Sequence, residues 1–168
     1  MKAILTMAPK LLAPVVHRSD DAHVDLSLIR SRAVCVDART RFVNSVRGQV
    51  KSAGHRLLKC STESFGKRCD ELPEALQASL KPLMDIIDEL SKTIRGYDKA
   101  IDDCAKTSHP DAQRLRAIPG IGPLTSLAFV LILEDPTRAK NSRATGAFAG
   151  LTSRQRQSGG SDPNLGNT

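Results

Sequence analysis

The sequence predicts an all-α protein, with long antiparallel coiled-coil helices followed by a small helical domain that carries a helix-hairpin-helix motif. Three observations carry this. Apolar residues recur at steps of three, four or seven from Leu26 to Val50, and again at strictly alternating steps of four and three from Leu76 to Cys104. Aromatic residues make up only 3% of the 168, with no Trp and with Tyr97 as the one Tyr, so aliphatic packing between helices must supply the core. Further on, a glycine-bearing turn around Pro119–Gly122 joins two shorter helical stretches.

The first helix starts after Ser19, whose hydroxyl suits an N-cap, with Asp20 and Asp21 in the first turn where carboxylates favour the positive end of the helix dipole. Its seam is Leu26, Ile29, Ala33, Val36, Val43, Val46 and Val50, and Gly54 ends it. The connection from Gly54 to Leu72 is basic, polar and glycine-containing, and reads as a loop. Pro73 suits the start of the second helix. Its heptad line is Leu76, Leu80, Leu83, Ile87, Leu90, Ile94, Tyr97, Ile101 and Cys104, a pattern that specifies a helical partner. Pro82 lies inside this run and is expected to kink or interrupt it near Lys81. Spacing alone leaves open whether the two helices pair with each other or with another copy.

His109-Pro110 closes the second helix and Asp111 opens a short one that ends near Ile118. The stretch Ile118-Pro119-Gly120-Ile121-Gly122-Pro123-Leu124-Thr125 resembles a helix-hairpin-helix signature. Glycines let the backbone turn tightly, and the N-terminus of the following helix offers N–H groups to a phosphate without reading base sequence. The same residues also serve as a plain turn between packed helices. Leu124 to Leu133 is nearly all apolar and reads as a buried helix stopped at Glu134-Asp135-Pro136. Ser142 is expected to cap a further short helix that Gly150 ends. Residues 152–160 read as a polar, basic and flexible stretch, and Ser161 to Thr168 as a disordered tail.

Lys plus Arg outnumber Asp plus Glu by 25 to 18, a formal charge of +7 that favours a polyanionic partner, nucleic acid first. Between Arg39 and Arg68 lie Arg39, Arg41, Arg47, Lys51, Arg56, Lys59, Lys67 and Arg68 against the single acid Glu63. That stretch is the expected phosphate-facing surface, with Arg47, Lys51 and Arg56 as its DNA-binding residues. From Asp70 to Ala105 acids dominate, as on a solvated helix face. Single-strand stacking platforms are largely missing for want of aromatics. Cys35, Cys60, Cys69 and Cys104 have no paired CxxC spacing and read as reduced thiols of a cytoplasmic protein. A zinc site from His55, Cys60 and Cys69 has irregular spacing, and no metal site is expected in this chain. The apolar start is broken by Pro9, Lys10 and Pro14, so no membrane association is expected.

Several segments together resemble the one-ten family of insertion-sequence transposases, which are guide-RNA-directed recombinases. Early in the chain these are Pro9-Lys10-Leu11-Leu12-Ala13-Pro14, His17-Arg18-Ser19, Leu28-Ile29-Arg30-Ser31-Arg32 and Val43-Asn44-Ser45-Val46-Arg47-Gly48. Later ones are Ile118–Thr125 and Gly150-Leu151-Thr152-Ser153-Arg154-Gln155 with Ser158-Gly159-Gly160, in the family's order. The resemblance implies residues 1–18 as the end of a nuclease-like domain, 19–108 as a coiled-coil region and 109–160 as an incomplete C-terminal transposase domain.

The same resemblance implies a DNA strand-cleaving and joining function. Ser158 falls at the family's nucleophile position, Gly120, Gly122 and Thr125 in its hairpin, and Arg154 and Arg156 where they can clamp a phosphate. It further implies DNA as partner, an element-encoded guide RNA, a homo-oligomer through the coiled coil, and Mg²⁺ in the complete family enzyme. Two departures stand out: Gln157 precedes Ser158 where the family commonly has a second serine, and Ser161-Asp162-Pro163 follows the glycines where it has a basic residue. No residue here matches the family's four metal-binding acids. The expectation is therefore a truncated transposase that keeps DNA binding without catalysis. The alternative is a non-catalytic DNA-binding module of coiled coil and helix-hairpin-helix.

Overall fold

A computed structural model describes residues 17–62, 64–138, 141, 144–146, 150, 153–155 and 164–167, the last two segments by their backbone. The fold is all-α in its body, as expected. Helices α1 (Asp20–Ser52), α2 (Phe65–Cys69), α3 (Glu74–Thr107), α4 (Pro110–Arg116) and α5 (Pro123–Leu133) follow in chain order, then a 3₁₀ turn at Pro136–Arg138. A two-stranded antiparallel ribbon joins β1 (Ser153–Gln155) to β2 (Asn164–Asn167).

Helix α1 begins where its cap chemistry dictates. The Ser19 hydroxyl accepts from the Ala22 N–H at 3.2 Å, and Asp20 and Asp21 occupy the first turn. At the far end Gly54 takes φ 81°, a left-handed conformation that releases the chain from the helix. Helix α3 runs unbroken through Pro82, contrary to the expected interruption. Both Pro82 and Ala78, whose carbonyl loses its usual partner to the proline ring, are exposed, so the helix carries the proline on its solvent side.

The two long helices pair within the chain and run antiparallel, since partners on α3 fall in number as those on α1 rise. Ala22 and Leu26 cluster with Ile101 and Ala105, Arg32 pairs with Asp98 at 2.5 Å, Arg39 donates to the Ser91 hydroxyl at 3.3 Å, and Val46 and Val50 cluster with Leu80 and Met84. On α3 the buried stripe is Leu80, Ile87, Ile94 and Ile101 at every seventh residue, flanked by Met84, Ser91 and Ala105. The expected companion line Leu76, Leu83, Leu90, Tyr97 and Cys104 is only half-buried. Helix α1 leans toward the other flank, which is why a serine and an alanine are buried there instead.

Packing divides into two apolar clusters, with buried Ile94 of α3 between them in an otherwise polar waist. One holds Val46, Val50, Phe65, Cys69, Leu72, Leu80, Met84 and Ile87, the other Ala22, Leu26, Ile101, Ala105, Ala112, Leu127 and Leu131. Between them stand the Arg32–Asp98 and Arg39–Ser91 contacts, and the seam residue Ala33 is exposed. Each fully buried aliphatic side chain contributes about 1.5–3 kcal/mol by leaving water.

The expected loop between α1 and α3 contains α2. Phe65 and Cys69, four apart, share one helical face and close the first cluster, with Leu72 completing it. Near the C-terminal end the Asn141 Oδ1 accepts from the Ala144 N–H at 2.8 Å, ahead of a helical turn at 144–146. Ser142 lies outside the described residues. Gly150 has φ 76°, in keeping with a helix stop. Strands β1 and β2 occupy stretches expected to be irregular. Ser153 faces Asn167 and Gln155 faces Asn164, so three steps oppose two in a bulged ribbon held by backbone pairing, which leaves no side-chain alternation to read.

Candidate nucleic-acid interface

The hairpin is built by three successive backbone constraints. Helix α4 ends at Arg116; the Ile121 N–H then donates to the Ile118 carbonyl at 3.1 Å, closing a turn with Pro119 and Gly120 at its centre. Gly120 has φ 89°, which an L side chain resists, and Pro fixes the preceding φ, as a type II turn demands. Gly122 is the extended N-cap of α5 and Pro123 fills its first position.

What this turn offers is open backbone. A Cβ placed on Gly120 or Gly122 would meet no atom within 4 Å, so neither glycine is there to relieve crowding within the chain. The first ladder bond of α5 runs from the Ser126 N–H to the Gly122 carbonyl at 3.0 Å. Leu124 and Thr125 therefore precede the ladder with their N–H groups at the positive end of the helix, and Thr125 is exposed.

The turn is held firmly from beneath. Ser126 and Leu127 are fully buried, Leu131 nearly so, and all of α5 rests on the second cluster. Its far end is tied to the start of α1: Glu134, at φ 56°, accepts from the Ser19 N–H at 2.9 Å, and Arg18 donates to the Ile132 carbonyl at 3.3 Å. The expected apolar helix is thus present, with its stop at Glu134, but only Ser126, Leu127 and Leu131 are buried and the rest of it is half-buried or exposed, because one face alone meets the helix pair.

The basic surface lies at the other end of α1. Arg47, Lys51, His55, Arg56 and Leu57 line an open recess of about 440 Å³, so the three expected DNA-binding cations do come together. They are not equivalent. The Arg47 guanidinium sits 5.5 Å from the Phe65 ring centroid and donates to Cys60 Sγ at 3.7 Å, so it is half spent on packing. Lys51 and Arg56 are exposed, and their charges make no ion pair among the described residues. Elsewhere in the stretch Arg39 bonds Ser91 and Arg68 pairs with Glu71 at 2.8 Å. About 35 Å of helix, at ~1.5 Å per residue, separates Arg47 from the end where α5 packs, so the hairpin and the recess are two separate features of the fold.

Ser158 and Arg156 lie outside the described residues, and Arg154 is placed by its backbone in β1. One further constellation escaped sequence reasoning. His109 Nε2 donates to Asp25 Oδ2 at 2.7 Å, and Cys104 Sγ faces the same point, all three half-buried. Burial, reinforced by the Asp25 carboxylate, pushes the Cys104 thiol up to about 11. No spacing signal could have revealed it, since Asp25 lies on α1 and the other two at the junction of α3 and α4. Among the described residues no helix is long and apolar enough to cross a membrane.

Comparison with known proteins places these features. Residues 112–167, from α4 through β2, match the Transposase IS116/IS110/IS902 family. Over 150 residues the chain is 29% identical to the transposase for insertion sequence element IS1111A of Coxiella burnetii, covering 83% of this chain and 40% of that protein. Over 162 residues it is 28% identical to a Pseudomonas aeruginosa protein named "Probable family 20 transposase", covering 92% of this chain and 47% of that one. The chain thus spans less than half the length of these relatives, and no solved structure gives a significant match. Residues 112–167 are therefore similar to the IS116/IS110/IS902 family of insertion-sequence transposases, and most of the chain is similar to bacterial transposases.

Proposed function

We propose that these 168 residues serve transposition by gripping DNA, through the backbone at the N-terminus of α5 and through Lys51 and Arg56, while strand chemistry requires residues beyond them. The observation that carries the reading is the open turn through Gly120, at φ 89°, and the extended Gly122, seated on the core and inside the family-matching segment. Phosphate contacts of this kind position a duplex without specifying sequence. Arg154 and Arg156 add charge beside Ser158, the residue at the family's nucleophile position, and an element-encoded RNA is the partner that would supply sequence choice. The half-buried line of Leu76, Leu83, Leu90 and Tyr97 is the surface for self-association.

Catalysis by a serine needs its proton removed and the developing phosphoryl charge neutralised. Mg²⁺, which the family implies, prefers six oxygens in near-octahedral array. Among the described residues the only convergence of three potential ligands is Asp25, Cys104 and His109, one oxygen with a sulfur and a nitrogen, which does not fit an ion that prefers six oxygens. The test is to incubate the purified 168-residue chain with Mg²⁺, supercoiled donor and target plasmids and element-encoded RNA. No joined product and no protein–DNA adduct is expected. An adduct that disappears in Ser158→Ala would overturn the proposal.

A further inference from the structure

Asp25, Cys104 and His109 come from three different places in the fold. Asp25 stands two turns into α1, Cys104 on the last turn of α3, and His109 at the cap of α4. One ligand atom from each lies within 4.8 Å of the other two. A tetrahedral zinc ion, with bonds of about 2.0–2.3 Å, needs ligand atoms roughly 3.3–3.8 Å apart, so small side-chain rotations seat it. The side chains of Asp25 and His109 are 23% and 21% exposed, enough to admit an ion and one water from solvent.

We propose that these three side chains form a zinc-type metal site, Cys104 binding as thiolate, His109 through Nε2 and Asp25 through a carboxylate oxygen, with a fourth position open to water. On binding, the Cys104 proton passes to solvent, the His109 proton moves from Nε2 to Nδ1 by exchange with solvent, and the Asp25–His109 hydrogen bond gives way to two metal bonds. Thiolate and imidazole select a borderline-soft ion over Mg²⁺ or Ca²⁺. The site clamps the start of α1 and the end of α3 to the entrance of the hairpin unit. The set read from the sequence, His55, Cys60 and Cys69, does not converge as a metal-capable group among the described residues, and the Arg47 guanidinium donating to Cys60 Sγ sets a fixed positive charge there that repels a cation.

Co²⁺ is the probe, titrated into the full chain under reducing conditions and then displaced by Zn²⁺. One equivalent is expected to give a thiolate-to-cobalt charge-transfer band and tetrahedral visible bands. Both should vanish in Cys104→Ser, weaken at least tenfold in affinity in His109→Ala and Asp25→Asn, and persist in Cys60→Ser and Cys69→Ser. Zn²⁺ at a hundredfold excess over its Kd should raise the Tm by about 5–10 °C in the parent chain and leave Cys104→Ser unmoved. Absence of the band, or a band that survives Cys104→Ser and is lost in Cys60→Ser, overturns the site. Circular dichroism of each variant separates lost binding from lost fold.

Discussion

Replacing Leu127 with Ala probes whether the hairpin unit and the helix pair form one cooperative structure. Leu127 is fully buried and shares its cluster with Ala22 and Leu26 of α1 and Ile101 and Ala105 of α3. Losing three carbons from such a site removes their transfer free energy and leaves a cavity that packed helices refill only in part. Together these cost about 2–5 kcal/mol. Leu80 is equally buried in the other cluster, on the far side of the polar waist, and Leu80→Ala should cost a similar amount. Against a total stability of about 5–15 kcal/mol for a typical domain, either change is large. Urea unfolding followed by circular dichroism reads both. If one cooperative unit spans the two clusters, each variant lowers the midpoint of a single transition with the slope unchanged. A Leu127→Ala midpoint within about 0.5 kcal/mol of the parent would refute the packing of α5 on the pair, and two resolved transitions would show that the waist uncouples the clusters.

Gly120 and Gly122 should separate on substitution. At φ 89° Gly120→Ala strains the backbone and costs about 1–2 kcal/mol, whereas Gly122→Ala, at an ordinary φ of −89° with open space around it, should leave stability within about 0.5 kcal/mol while weakening DNA binding, as thermal melts and binding titrations would report. Phe65→Ala should cost about 3–5 kcal/mol and make the Arg47 guanidinium more accessible to phosphate, so that lower stability accompanies unchanged or stronger DNA binding per folded molecule. Asp102 is held below the usual carboxylate range by its hydrogen bond from Lys106 and, less strongly, by Arg116. A lowered folded-state value means its contribution is complete above its ordinary 3.8 and is lost as pH falls through the folded value, so Asp102→Asn should lower the neutral plateau of a stability–pH curve slightly and flatten its acid limb below about pH 4 by the same amount.

The helix pair was legible because its chemistry is local and periodic. Ser19 announces the start of α1, and Leu80, Ile87, Ile94 and Ile101 repeat at a period that only a helix facing a helix satisfies. The choice of flank was not legible. Leu90 and Ser91 are neighbours in the chain, and only the lean of α1 buries the serine while leaving the leucine half-exposed. Helix α2 was hidden for a related reason: five residues carry too little periodicity to outweigh polar, glycine-containing surroundings, although Phe65 is fully buried. Pro82 does not interrupt α3, and the helix tolerates it where Pro82 and Ala78 both lie on an exposed face. The hairpin turn was readable residue by residue, since proline and glycine have few alternative uses in that order. The Asp25, Cys104 and His109 convergence depends on helix packing across 84 residues of sequence, a distance over which no spacing rule operates.

The central claim is that exposed cations and an open helix N-terminus bind phosphates, and the salt dependence of DNA affinity tests it most directly. Fluorescence anisotropy with a labelled duplex of arbitrary sequence, titrated between about 50 and 200 mM salt, gives a slope of log affinity against log salt of roughly −0.9 per phosphate neutralised. The account predicts a steep slope that is independent of duplex sequence. Its magnitude should fall by about 2 in the Lys51→Ala/Arg56→Ala double variant, while Gly122→Ala weakens affinity with the slope nearly intact, because a backbone N–H releases no counterion of its own. A parent chain that fails to bind at the lowest salt, or binds with a slope the double variant leaves unchanged, would contradict the account.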